Sequence, residues 1–129
     1  MAVRELCRQG GYLIEHEYET AWLRWQGGKL VIGDHYGDPT CALIDPAGAW
    51  CLTAGEGVIV CRFSPMLSEQ DRPKRYEQAE LWRRGSPPLG GEKAWFVESA
   101  TLLSGSRVRL LVEGRPYDVD AATLEWHLA

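Results

Sequence analysis

Glycine and proline punctuate this chain at intervals of roughly eight to twelve residues, the spacing of compact β architectures, and almost every apolar run ends at one of them. Tyr12 to Thr20 alternates with period two: Tyr12, Ile14, His16 and Tyr18 share one face, and Leu13, Glu15, Glu17 and Glu19 the other. That pattern predicts a strand with an acidic side, continued by Ala21–Trp25 and turned at Gln26-Gly27-Gly28-Lys29. Leu30-Val31-Ile32 follows as a short strand, and Gly33–Pro39 as a polar loop. Thr40–Ile44, Ala49–Thr53 and Val58–Phe63 are then linked by turns at Asp45-Pro46-Ala47-Gly48 and Gly55-Glu56-Gly57. Residues 30–63 thus read as a β-meander. Val58–Phe63 is apolar on both faces, which places it centrally or under a second layer.

The segment 64–93 changes character. Asp71 is a suitable N-cap, Pro73 is tolerated in a first turn, and Gly85 is a stop. These signals predict a helix over about 72–84 that packs through Tyr76, Ala79 and Trp82. Gly85–Gly91 reads as a loop. Strands are expected again at Ala94–Leu103, Arg107–Glu113 and Tyr117–Val119, with Ala122–Leu128 returning as the arm of a hairpin. The fold class is therefore mainly β: a single antiparallel meander over residues 1–129, curled into a partial barrel or sandwich, with one short helix. A propeller would need about 40 residues for each of at least four blades, and the chain has 129.

With 14 Lys+Arg against 18 Asp+Glu, the formal charge is −4, which disfavours a direct nucleic-acid binder. No apolar run approaches the roughly 20 residues that span a bilayer, and Met1–Arg8 lacks the apolar core of an export signal. The expectation is a cytoplasmic protein without a membrane partner. Cys7, Cys41, Cys51 and Cys61 form no C-x2-C pair that would suggest zinc. The last three recur every ten residues, as if one sat on each of three successive strands. In a reducing compartment they read as small buried hydrophobes.

Asp34-His35-Tyr36-Gly37-Asp38 gathers two carboxylates, an imidazole and a phenol in one loop. Such groups can ligate a divalent metal if the fold adds further ligands, or simply stabilise a surface turn. No G-x-S-x-G, P-loop or G-x-G-x-x-G is present, and no cofactor is implied. Arg72, Lys74, Arg75, Arg83 and Arg84, interleaved with Tyr76 and Trp82, offer a possible nucleic-acid face or a solvated helix face. The rest of the chain is strongly acidic. The Glu15, Glu17, Glu19 comb suits either a charged edge strand that blocks aggregation or a surface that steers a basic partner.

Ile32–Ile44, with Trp50-Cys51-Leu52 and Gly55–Val60, resembles small bacterial immunity proteins of polymorphic toxin systems, delivered by contact or by type VI secretion. The resemblance implies a protein that is not an enzyme, binding one cognate toxin domain and occluding its active site. The toxin would be basic or directed at nucleic acid. The residues expected to meet it are Asp34, His35, Tyr36, Asp38 and Glu56, then Glu15, Glu17 and Glu19. The competing readings are a small-molecule-binding or metal-dependent enzyme with its pocket at the barrel mouth, and a stand-alone adaptor domain.

Overall fold

The computed structural model describes residues 3–85 and 93–129. Among these, twelve strands form three antiparallel sheets of four, each sheet a meander of consecutive strands. Sheet I comprises β1 (Arg4–Gln9), β2 (Tyr12–Glu17), β3 (Thr20–Trp25) and β4 (Gly28–Asp34). Sheet II comprises β5 (Cys41–Ile44), β6 (Trp50–Gly55), β7 (Gly57–Phe63) and β8 (Tyr76–Leu81). Sheet III comprises β9 (Val97–Ser104), β10 (Arg107–Val112), β11 (Arg115–Asp120) and β12 (Trp126–Leu128). The mainly β, antiparallel reading holds, but the single curled sheet is replaced by three stacked ones, with no closed barrel.

Sheet II is the middle layer because β5, β6 and β7 are apolar on both faces. Along β6 and β7 the side chains alternate between two cores. Trp50, Leu52, Ala54, Val58 and Val60 pack with Val97, Val108, Leu110 and Val119 of sheet III. Cys51, Cys61 and Phe63 pack instead with Ile14, Ala21, Leu23 and Ile32 of sheet I. Sheets I and III each bury one face only, as the alternation in β2 (Ile14 and His16 buried) and β10 (Val108, Leu110 and Val112 buried) requires. Cross-layer hydrogen bonds supplement the packing: Cys61 Sγ and Gln78 Nε2 donate to the Ile32 carbonyl at 3.2 and 2.9 Å. Arg62 Nε donates to the Ala121 carbonyl at 3.1 Å.

The helix expected over 72–84 is absent. Tyr76–Leu81 is strand β8, paired with β7 from Phe63↔Tyr76 to Val58↔Leu81. Its period-two pattern puts Leu81 against sheet III, and as a strand it pairs the backbone groups that the edge of β7 would otherwise leave open. The ladder offered by β7 outweighs the helix signals of Asp71, Pro73 and Gly85. The only helical turn among the described residues is the 3-10 turn Leu67–Glu69. Two boundaries also move. The run Tyr12–Trp25 is two strands, because Tyr18 adopts a left-handed φ of 52° and His16 Nδ1 bonds its carbonyl at 2.9 Å. Leu30–Ile32 belongs to sheet I, so the meander of sheet II begins only at Cys41. Strand β1 was not foreseen, and most of the expected Gly85–Gly91 loop lies outside the described residues.

The cysteines fall as their spacing predicts, Cys41, Cys51 and Cys61 on β5, β6 and β7, all as free thiols. Burial pushes the Cys7 thiol up to about 12 and raises that of Cys41. These thiols are packing groups. Between sheets II and III, Trp82, Trp95, Tyr117 and Trp126 form a cluster in which every pair of rings is in contact, at centroid distances from 4.9 to 5.7 Å.

Because Leu52 is fully buried on the face of β6 that meets sheet III, Leu52→Ala is expected to cost about 2–5 kcal/mol in urea denaturation. Thr101→Ala at an exposed position of β9 should stay within about 0.5 kcal/mol. Similar losses at both sites would contradict the layered core.

Candidate functional site

One end of the molecule collects most of the residues singled out from sequence. The β4–β5 loop, the β2–β3 turn, the β6–β7 turn and the residues just after β8 meet there. His35 N–H donates to the Glu19 carbonyl at 2.8 Å, and Gly37 N–H donates to the Glu19 carboxylate at 2.6 Å. Glu19 therefore braces the loop. Asp34 accepts a hydrogen bond from Thr20 Oγ1 at 3.0 Å and stays exposed, as does Asp38.

The floor of this end is Arg83, a buried guanidinium. It donates to the Asp34 carbonyl at 2.7 Å and pairs with Glu80 at 2.8 Å. Taking a cation out of water is costly unless it is paired and hydrogen-bonded; these two contacts serve Nη1 and Nη2, while the buried Nε has no hydrogen-bond partner among the described residues. Arg84, next in sequence, pairs with Glu56 at 2.6 Å. Both guanidiniums face the Tyr36 ring, 5.3 and 4.9 Å from its centroid, within cation–π range. Tyr36 is thus gripped while 49% exposed. Phe96, bridged to Glu56 through the backbone, and Tyr18, in the β2–β3 turn, add two more exposed rings, at 46% and 59%.

The Gly55-Glu56-Gly57 turn serves this arrangement. A Cβ on Gly57, whose φ is 80°, would collide with Arg83 Cγ. One on Gly55 would approach the Pro39 Cα to 3.0 Å. The glycines let the β6–β7 turn sit against Arg83 and the β4–β5 loop, leaving Glu56 between them to reach Arg84.

The expected residues divide accordingly. Asp34, Tyr36, Asp38, Glu56 and Glu19 share this end. His35 is buried beneath it, its Nε2 sharing a 2.8 Å hydrogen bond with Thr53 Oγ1 and its Nδ1 without a hydrogen-bond partner among the described residues. It anchors the loop from inside. Glu15 lies apart on the outer face of sheet I, accepting from Trp22 Nε1 and Arg24 at 3.2 Å each, and Glu17 closes β2. The comb is split because the chain reverses at Tyr18. Arg83, Arg84, Phe96 and Tyr18 were missed as members of this site. The sequence places the two arginines on the face of an expected helix, and only the strand period of Tyr76–Leu81 delivers them here.

Among the described residues, no three His, Cys, Asp or Glu side chains converge to hold a metal ion, and no helix is long and apolar enough to cross a membrane. No family model, curated protein or solved structure matches the chain.

Burial first, and then the neighbouring Arg83, lower the His35 pKa to about 4, against a weaker opposing effect of Asp34. The unfolded chain, with an ordinary histidine near 6.5, takes up the proton first. Stability is therefore full above about pH 6.5 and falls as the pH drops toward 4, by about 3 kcal/mol for this group. Urea unfolding at stepped pH should show that slope, and His35→Gln should flatten it. An unchanged slope would place the titration elsewhere.

Proposed function

We propose that this chain is an immunity protein that binds one cognate bacterial toxin domain through the end built from Tyr18, Glu19, Asp34, Tyr36, Asp38, Glu56 and Phe96, and occludes the toxin's active site. The observation that carries the reading is Tyr36, half-exposed yet fixed between Arg83 and Arg84. A rigid aromatic beside arginine is the composition of an interface hot spot, because it contributes contact area with little ordering cost. The surrounding charge selects the partner. Glu19, Asp34, Asp38, Glu56 and Glu80 outnumber Arg83 and Arg84, so the end attracts a basic surface and accelerates its encounter. A toxin cleft that binds nucleic acid presents such a surface, with these carboxylates taking the places of its substrate's phosphates. His35 and Glu19 act as positioning residues, holding the loop in its docked shape before the partner arrives.

The test begins with affinity capture of the tagged chain from its native bacterium, and identification of the retained protein by mass spectrometry. With that partner in hand, Asp34→Lys combined with Asp38→Lys should weaken binding by well over tenfold, with a slower and less salt-sensitive association. Tyr36→Ala should cost a further tenfold or more through faster dissociation. Unchanged affinity in both variants, with unfolding curves intact, would remove this end from the interface.

A further inference from the structure

The opposite end of sheet II carries a different chemistry. Strand β8 starts beside Phe63 and ends beside Val58, so the loop that precedes it lies one strand length, about 17–20 Å, from the Arg83–Tyr36 end. That loop contains Arg72, Lys74 and Arg75, all exposed. Arg62, Arg83 and Arg109 stand 3.8, 2.8 and 2.8 Å from a carboxylate, whereas none of these three loop cations is ion-paired among the described residues. They line a common open cleft of about 400 Å³ with Pro65, Gln70 and Asp71.

The loop is braced. Gln70 donates through Nε2 to the Pro65 carbonyl at 2.6 Å and accepts from the Lys74 N–H at 3.1 Å, while Pro73 is buried beneath. Cations crowded on a pinned loop repel one another, and Asp71 is the one carboxylate that lines the cleft with them. Arg4, Lys29, Lys93 and Arg115 are also without an ion pair among the described residues, but only in this loop do three such cations line one cleft. Arg75 also borders the adjoining depression that holds Tyr76, whose exposed ring is oriented by a 3.1 Å hydrogen bond from its hydroxyl to the Val31 carbonyl.

From this arrangement we propose that the cleft is a binding site for a compact oligophosphate, such as the phosphate chain of a nucleotide. Arg72, Lys74 and Arg75 hold the phosphates, and the Tyr76 ring is available to a base. Fork-shaped guanidiniums favour phosphate oxygens, and a cleft of this volume suits a small ligand. Asp71 opposes the anion and sets the limit on affinity. The site is separate from the proposed toxin surface and does not depend on it.

Titration calorimetry on the full chain, without divalent cations, tests this with three probes: inorganic tripolyphosphate, a nucleoside triphosphate and a short single-stranded oligonucleotide. Saturable binding of tripolyphosphate is expected. Arg75→Gln and Arg72→Gln should each weaken it about tenfold, the loss of one charge-assisted contact, whereas Asp71→Asn should tighten it. Arg115→Gln, which removes an exposed cation on β11, should change it less than about twofold. Tighter binding of the nucleoside triphosphate assigns the source as a nucleotide; equal binding assigns it as the phosphate chain alone. No saturation by either small probe, equal losses in Arg115→Gln and Arg75→Gln, or binding of the oligonucleotide alone would overturn the proposal. Near-ultraviolet circular dichroism establishes folding, and two independent arginine variants guard against one that misfolds.

Discussion

A sheet that is apolar on both faces cannot be left with one face in water, and the rest of this molecule follows from that constraint. β6 and β7 bury nearly every side chain, so two further layers are needed, one on each side. Removing either would expose a continuous row of aliphatic and aromatic groups and open a core whose burial is worth on the order of 25 cal/mol per Å². The order of the chain makes this inexpensive in topology: each sheet is a meander of neighbouring strands, so the non-local work is confined to stacking three finished sheets.

The stacking also creates the candidate site. Where sheets I and II meet at one end, loops from both are brought against the residues leaving β8. The buried Arg83 joins them, holding the Asp34 carbonyl on one side and Glu80 on the other. A surface in such a place is held in shape because its residues are secured by the layers beneath. His35 and Thr53 provide that support from the interior, and the Gly55-Glu56-Gly57 turn provides the space for it.

Electrostatically the chain is divided between its ends. Carboxylates dominate the end with Tyr36, whereas unpaired cations gather in the loop before β8. A net charge near the middle of the usual range hides this division, because the two populations largely cancel in the sum. Separated along the strand direction, they give each end its own field.

Strands, turns and the two-sided character of Val58–Phe63 were legible from sequence, because period-two patterning and glycine or proline turns act between near neighbours. The ten-residue spacing of Cys41, Cys51 and Cys61 placed one thiol on each of three strands for the same reason. The gathering of Asp34, Tyr36, Asp38 and Glu56 was only partly legible: these residue types were marked, but the contacts that join them were not. Tyr76–Leu81 shows where local reading fails. Asp71, Pro73 and Gly85 carry helix signals, and nothing in that segment announces that β7 waits with an unpaired edge. Arg83 and Arg84, the two cations that hold Tyr36, fall in or beside that segment, so their place in the site was not legible either. By itself the sequence determined the element type wherever the information was local, and it determined that a covering layer must exist. Which sheet covers which face, which cations are paired and which left free, and which loops share an end were decided by tertiary structure, because hydrogen-bond ladders, desolvation and charge pairing act between residues far apart in the chain.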